Sequence, residues 1–172
     1  DECHRYDEFT VEVNPDDICR GGLQYLMELK DLGVNRLSMG IQSFDDGLLK
    51  WMNRRHNAAG AVRAVELIRL AGFRNLSIDL IFGITGLTDE IWQSTLAEAV
   101  RLAPEHISAY QLSVEEGSAL AELERTGKYR EADEVSCRRQ YDILCEMLAE
   151  VGYMHYEISN FAKPGYEAVH NS

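Results

Sequence analysis

Short strand-like runs alternate with helical segments along most of this chain, and this alternation limits the folds that it can adopt. The predicted strands cover residues 9–13, 34–42, 75–82, 106–112 and 154–158. The run 34–42 is too short for an amphipathic helix, and its continuous apolar character is typical of a strand buried on both faces. Strands that alternate with helices indicate a parallel sheet with right-handed crossovers.

Capping residues and glycines mark the ends of the predicted helices. Asn14 followed by Pro15 is a strong helix start, and Gly33 ends that helix. Ser43 is expected to cap a short helix through Met52. Further helices are expected to start at residues 57, 88, 118 and 131, and residues 160–165 are expected to form a loop.

Four or five such units would make about half to two-thirds of an eight-unit (β/α) barrel. The first predicted strand is not followed by Gly-x-Gly-x-x-Gly, so a dinucleotide-binding sheet has little support. We therefore expect an α/β fold, a partial (β/α) barrel with parallel strands and outer helices. The chain starts within a charged segment and without Met. We interpret residues 1–172 as one domain, truncated at both ends, that belongs to a longer protein.

The overall charge argues against two classes of partner. The formal net charge is −12, which disfavours nucleic acid and anionic membrane surfaces because both require clustered cations. No apolar run approaches the roughly 20 residues of a spanning helix. The cysteines at positions 3, 19, 137 and 145 form no CxxC group, so we interpret them as reduced thiols of a cytoplasmic protein.

Polar side chains lie near the carboxyl ends of the predicted strands. They are Glu12, Gln42, Asp79 and Ser113, with Arg54 in the break beyond the second strand. In a barrel, the carboxyl ends of the strands converge on one face, where ligand sites are built. Two carboxylates, an amide, a guanidinium and a hydroxyl suit a small zwitterionic ligand that carries hydroxyl groups. The histidines have no paired metal-binding spacing, so we predict no metal ligand and assign no catalytic residue.

Each of these residues also has a structural interpretation that the spacing leaves open. Asp79 could accept backbone N–H groups at a strand end, and Glu12 could face solvent on an edge strand. Gln42 could cap the following helix, and Arg54 could be a solvated loop charge.

Four blocks of sequence resemble a known family. They are residues 11–15 (VEVNP), 33–44 (GVNRLSMGIQSF), 77–83 (SIDLIFG) and 155–162 (HYEISNFA). In this order they resemble the radical-SAM coproporphyrinogen III oxidase family, and more closely its heme-chaperone branch. The resemblance runs through almost the whole chain and implies a partial (β/α) barrel that holds S-adenosylmethionine (SAM) beside a [4Fe–4S] cluster.

The resemblance also implies roles for particular residues. Glu12, Gln42, Arg54 and Asp79 match SAM-contacting positions of the family, and Ser113 matches a position near the adenine. Asp79 is expected to bind the ribose, and Arg54 the carboxylate end of SAM. Residues 153–172 would start the family's C-terminal region. In that region, His170 would belong to a heme-related motif.

The implied function is heme chaperoning, with SAM, a cluster in the full-length parent and heme as ligands, and a heme-accepting protein as partner. The first alternative is an oxidase that decarboxylates porphyrinogen propionates with a 5′-deoxyadenosyl radical. The second is a (β/α) binding domain without a cluster. The family's CxxxCxxC motif is absent here, so the cluster ligands are expected outside this chain. Residues 84–88 read ITGLT, where the family usually has Leu-Pro-Gly-Gln-Thr.

Overall fold

A six-stranded sheet forms the centre of the computed structural model, which describes residues 8–113 and 118–168. Its strands are β1 (Thr10–Val13), β2 (Arg36–Gln42), β3 (Leu76–Phe82), β4 (His106–Gln111), β5 (Met154–Glu157) and β6 (Asn160–Ala162). Their order across the sheet is β1-β2-β3-β4-β6-β5. The first four strands are parallel, whereas β6 is antiparallel to both β4 and β5. The described sheet is therefore mostly parallel and open, with β1 at one edge and β5 at the other.

Six helices connect the strands of the described part of the chain. They are α1 (Pro15–Asp31), α2 (Asp46–Trp51), α3 (Ala58–Leu70), α4 (Asp89–Leu102), α5 (Ala119–Arg125) and α6 (Glu134–Glu150). Three of the predicted helix starts are confirmed, because the side chains of Asn57, Thr88 and Ser118 each accept a hydrogen bond from the backbone N–H three residues later. Such a bond pairs an N–H that would otherwise lack an intrahelical partner.

The helix predicted to be capped by Ser43 starts later than expected. Its cap is Asp45, whose Oδ2 accepts a hydrogen bond from Leu48 N at 2.9 Å. Ser43 Oγ instead accepts from Asp45 N at 3.0 Å. The prediction was wrong because three candidate cap residues lie within four positions, and sequence alone does not rank them.

Alternation in β2 separates an apolar face from a polar one. Leu37, Met39 and Ile41 are fully buried and share one core with side chains of the helices. The residues between them face the other way, and Ser38 and Gln42 are only partly buried. Burial on both faces is therefore complete for the apolar face only, since on the second face Arg36 is buried and the other residues are partly buried. The sequence of β2 suggested a continuous apolar run because the residues between the apolar ones include the small Ser38 and Gly40 and the uncharged Gln42.

The C-terminal part also differs from the prediction. Residues 160–165 were expected to form a loop, but Asn160, Phe161 and Ala162 form β6 and are all buried. They pair with β4, so the strand next to the four parallel strands runs antiparallel to them. A three-residue strand is too short to show a period-two pattern, and the expectation of parallel strands throughout was wrong at this edge.

None of the helices in the described part of the chain combines the length and the apolar character that crossing a bilayer requires. The cytoplasmic location and the single-domain boundaries remain predictions from sequence.

Candidate functional site

Four of the predicted site residues line one cleft. Glu12 lies in β1, Gln42 ends β2, Asp79 lies in β3 and Arg54 follows α2. The cleft has a volume of about 350 Å³. It is open at the carboxyl ends of the parallel strands, which is where binding sites of parallel α/β folds are found.

Two predicted site residues are not part of this cleft. Ser113 lies two residues beyond β4, where it is exposed, and it does not line the cleft. His170 lies outside the described residues.

The strand register explains why residues far apart in sequence come together. Glu12 is paired with Ser38, and Gly40 is paired with Asp79. Because side chains of one face recur every second residue, those of Glu12, Ser38 and Asp79 lie on the same side of the sheet, and Gly40 lies between them. Glu12 is exposed on the edge strand of the described sheet, yet it still lines the cleft.

The end of β2 has an unusual backbone. The register shifts between Gly40 and Gln42, and Gln42 has a φ of 72°. This left-handed conformation costs a non-glycine residue on the order of 1 kcal/mol and is found at binding sites more often than elsewhere. A Cβ at Gly40 would lie 3.1 Å from the Gln42 Nε2. The amide of Gln42 is therefore turned back over Gly40.

Arg54 is fixed to the end of β2 by its own side chain. Its Nη2 donates to the Gly40 carbonyl oxygen at 3.2 Å and to Asn14 Oδ1 at 3.5 Å. The neighbouring His56 is buried, and its Nε2 lies 2.9 Å from the Ile41 carbonyl oxygen. Burial lowers the pKa of His56. These contacts hold the guanidinium at the rim of the cleft.

Gly40 leaves the cleft floor as bare backbone. A Cβ there would lie 3.1 Å from the Gln42 side chain and 3.5 Å from that of Arg54. Any larger side chain would enter the space that these two residues and Asp79 surround. The missing side chain thus opens a cradle in which a ligand can approach the main chain.

Asp79 has unusual electrostatics for a carboxyl group. Its pKa is raised from 3.8 to about 6, mainly by burial and also by the carboxylate of Glu12, while the guanidinium of Arg36 opposes both. At neutral pH the group is mostly ionised, but the ionised form is disfavoured by its surroundings. A partner that donates hydrogen bonds would relieve this cost.

The substitution Asp79→Asn should stabilise the fold at neutral pH. In the unfolded chain the carboxyl ionises near 3.8, but in the fold it ionises near 6. The cost of ionisation therefore appears as the pH rises between these values and stays constant above them. We expect Asp79→Asn to raise the free energy of unfolding at pH 7.5 by on the order of 1–2 kcal/mol, and by almost nothing at pH 4. Urea denaturation of both proteins at both pH values measures this.

Asp142→Asn is the matched control, since Asp142 is exposed and forms an ion pair with Arg138 on the surface of α6. An equal increase in the free energy of unfolding of Asp79→Asn at pH 4 and at pH 7.5 would contradict the electrostatic explanation.

A second group of polar residues lines the same face of the sheet and was missed in the sequence. It surrounds a smaller cavity of about 40 Å³, together with Glu12 and Asp79. The group comprises Arg36, Ser38, Ser77, His106, Ser108, Tyr110 and Asn160. Arg36, Ser38 and Gly40 alternate with apolar residues in β2, as do Ser77 and Asp79 in β3. That period-two pattern was the available signal.

Hydrogen bonds connect this polar group across β3, β4 and the β5–β6 hairpin. Ser77 Oγ lies 2.7 Å from His106 Nδ1, and His106 Nε2 lies 2.7 Å from the Tyr156 hydroxyl. Ser108 Oγ donates to Asn160 Oδ1 at 2.6 Å. Burial and, to a smaller extent, the charge of Arg36 lower the pKa of His106 to about 4. The imidazole is therefore neutral at physiological pH.

The described cysteines do not fit an iron–sulfur cluster. Cys19, Cys137 and Cys145 are free thiols whose pKa values are raised, mainly by burial. Cluster ligands must be thiolates that converge on one point. No group of three or more His, Cys, Asp or Glu side chains that could hold a metal ion occurs within residues 8–113 and 118–168.

The chain matches one family model and several known proteins. The model described as the radical SAM superfamily matches residues 2–99. A heme chaperone HemW from Lactococcus lactis is 37% identical over 96% of this chain and 43% of its own length. The heme chaperone HemW from Bacillus subtilis is 38% identical over 95% of this chain and 42% of its own length. The chain thus spans less than half of these relatives.

One solved structure has a similar fold and a related sequence. It is coproporphyrinogen III oxidase (HemN) from Escherichia coli, described as a radical SAM enzyme. The TM-score is 0.72 at 27% identity, over 94% of this chain and 36% of that one. This likeness confirms the predicted fold class, including its partial (β/α) barrel character.

Proposed function

Because the chain belongs to the radical SAM superfamily, we propose that it binds SAM in the cleft and forms the SAM-binding part of a heme chaperone. One observation carries the proposal. Glu12, Gln42, Arg54 and Asp79 line a single cleft around the side-chain-free backbone of Gly40. A zwitterion that also carries a ribose diol needs this combination of acceptors and donors.

The groups of SAM can be matched to the cleft by their chemistry. The Asp79 carboxylate would accept hydrogen bonds from the ribose hydroxyls, and the Arg54 guanidinium would pair with the ligand carboxylate. Glu12 and Gln42 would hold the remaining polar groups, including the ammonium. Ser113 is proposed to lie near the adenine. When bound, SAM would supply a 5′-deoxyadenosyl group for radical chemistry, with an iron–sulfur cluster as the electron donor.

We propose that the thiolates of that cluster come from outside the described residues. The thiols of the described part do not converge on one point. This chain would therefore supply the walls of the SAM site, which exclude water and orient the adenosyl group, while the cluster ligands lie elsewhere in the protein.

The heme chaperone assignment is supported by the relatives. Proteins named heme chaperone HemW are 31–38% identical to this chain over about 95% of its length. Heme as ligand, a heme-accepting protein as partner and His170 as a heme-related residue all belong to the proposal. We expect hemin titration, followed by the Soret band, to give saturable binding to the protein.

A coproporphyrinogen III oxidase is the second candidate, and the likeness to the solved oxidase structure favours it. Porphyrinogen turnover separates the two functions. Decarboxylation of coproporphyrinogen without saturable heme binding would support the oxidase and overturn the chaperone.

Binding of two SAM-like probes tests the cleft without any radical chemistry. S-adenosylhomocysteine carries an amino acid group, and 5′-methylthioadenosine lacks it. We expect Arg54→Met to weaken binding of S-adenosylhomocysteine by about 10-fold, the value of one charge-assisted hydrogen bond. Binding of 5′-methylthioadenosine should stay within about 2-fold, because its contacts lie elsewhere in the cleft. Isothermal titration calorimetry measures both affinities.

Arg63→Met is the matched control, since Arg63 is exposed and forms an ion pair with Glu66 on α3. If Arg54→Met weakened the binding of both probes to the same extent, this would contradict the assigned role of Arg54. Absence of saturable binding of either probe to the unmodified protein would overturn the SAM proposal.

A further inference from the structure

A buried guanidinium lies on the same face of the sheet as the two carboxylates of the cleft. We propose that Arg36 is a positioning residue, which keeps the Asp79 carboxyl ionised and thus able to accept hydrogen bonds from the ligand's ribose. Arg36 would do this through its charge, without touching the ligand. The inference rests on the proposed function, because it concerns the carboxylate that would hold the ribose.

The position of Arg36 places its charge beneath the cleft. It starts β2 and lies on the same face as Ser38 and Gly40, which line the cleft. Together with Glu12 and Asp79 it surrounds the cavity of about 40 Å³. A polar cavity of that size has room for one or a few water molecules. Such water would connect the guanidinium to the carboxylates.

Arg36 is buried but only loosely paired. Its residue exposure is 6%, and its Nε lies 3.5 Å from Glu8 Oε1 but makes no hydrogen bond within the described part of the chain. Its Nη1 donates to Thr10 Oγ1 at 3.4 Å, a long bond. Burying a charge is costly unless opposite charge is near, and the field of a loosely paired cation reaches further than that of a tightly paired one. The nearby carboxylates supply that opposite charge.

Several charged or titratable groups face Asp79 from the elements around it. Those that line the two cavities with it are Glu12 from β1, Arg36 from β2, Arg54 from the loop after α2, and His106 and Tyr110 from β4. His106 is neutral because its pKa is near 4. Glu12 raises the pKa of Asp79, and Arg36 lowers it.

Arg36 therefore offsets the repulsion between the two carboxylates. Without a nearby cation, burial and the negative charge of Glu12 would both favour the protonated form of Asp79. A protonated Asp79 has one acceptor fewer and would compete poorly for a ribose diol. The positive charge of Arg36 beside Glu12 and Asp79 thus favours the ionised form of Asp79, which the proposed ribose contact requires.

The ionisation of Asp79 tests this inference without ligand or cluster. Carboxyl ¹³C NMR of the protein gives the titration midpoint of Asp79, with the signal assigned by its loss in Asp79→Asn. We expect Arg36→Met to raise this midpoint by about 1 pH unit or more, because a partly buried cation is removed. Arg36→Lys retains the charge and should keep the midpoint within about 0.3 unit. An unchanged midpoint in Arg36→Met would overturn the inference.

Binding at two pH values gives a second readout. Arg36→Met should bind 5′-methylthioadenosine about 10-fold more weakly than the unmodified protein at pH 6.5 and almost as well at pH 8.5, where Asp79 ionises again. Equal weakening at both pH values would mean that Arg36 acts only on structure and would also overturn the inference.

A third variant covers the case in which Arg36→Met does not fold. Glu12→Gln removes the opposing negative charge and should lower the Asp79 midpoint, whereas an unchanged midpoint would show that charges across this cavity do not reach Asp79. The outcomes separate the two proposals. If the unmodified protein binds no probe at any pH, the proposed function fails, while the NMR midpoints still decide the role of Arg36.

Discussion

Replacing Asp79 with alanine is expected to weaken the binding of 5′-methylthioadenosine by about 10- to 100-fold. A hydrogen bond to a charged acceptor contributes roughly 1.5–3 kcal/mol, and each 1.4 kcal/mol is a factor of ten in affinity. The Asp79 carboxylate lies in the cleft where its ionised form is disfavoured, with a pKa near 6. A ribose diol would supply two donors to it. Isothermal titration calorimetry at pH 8 measures the loss, since the carboxyl is ionised there.

The ribose contact can be isolated with a modified probe. The 2′-deoxy analogue of 5′-methylthioadenosine should bind the unmodified protein more weakly than the parent probe, and the two probes should bind Asp79→Ala about equally. Asp142→Ala, which removes an exposed carboxylate from α6, should change neither affinity. A difference between the two probes that persists in Asp79→Ala would contradict the assignment of Asp79 to the ribose.

Asp79 also shows how function and stability oppose each other at this site. Asp79→Asn is expected to stabilise the fold at neutral pH, yet it removes the acceptor that the ribose requires. A carboxylate that destabilises the folded chain in the absence of ligand is typical of a binding site, because hydrogen bonds from the ligand offset the unfavourable free energy of its ionisation.

The residues that line the cleft could be predicted because helix-start residues in the sequence indicate where the strands end. The helix-start residues Asn14 and Thr88 come shortly after β1 and β3, so they indicated where those two strands end. Glu12, Gln42 and Asp79 followed from those strand ends, because the carboxyl ends of parallel strands meet at one edge. Arg54 was found by its place in the break after the second strand.

Other features depend on contacts that no local pattern encodes. β6 is strand because it pairs with β4, and its three residues carry no period of their own. The second polar group, which includes Arg36 and His106, was missed because the strands were predicted from their apolar residues alone. Ser113 was predicted by its distance from a strand end, but the chain beyond β4 does not direct it into the cleft.

The largest loss of stability from one substitution is expected at Trp92. Its exposure is 1%, its ring centroid lies 5.6 Å from that of Phe82, and its Nε1 donates to the Gln140 carbonyl oxygen at 2.9 Å. Trp92 thus joins α4, α6 and the end of β3. We expect Trp92→Ala to lower the free energy of unfolding by about 3–5 kcal/mol, from lost burial and the cavity that remains. Urea denaturation measures the shift.

Two controls separate packing from the hydrogen bond. Trp92→Phe keeps most of the buried ring and loses the N–H, which leaves the Gln140 carbonyl without that donor, so a loss of about 1–2 kcal/mol is expected. Trp51→Ala removes the same side chain where it is 46% exposed against Tyr129, and it should cost less than about 1.5 kcal/mol.

The Trp92 prediction also concerns the cleft, because Gln140 holds the loop that follows Asp79's strand. Gln140 Oε1 accepts from Gly83 N at 2.8 Å, and its Nε2 donates to the Leu87 carbonyl oxygen at 3.0 Å. Trp92→Ala should therefore loosen the end of β3 and speed hydrogen exchange at Gly83 more than Trp51→Ala does. Equal losses of stability in the two alanine variants, with equal exchange at Gly83, would show that this junction does not support the site.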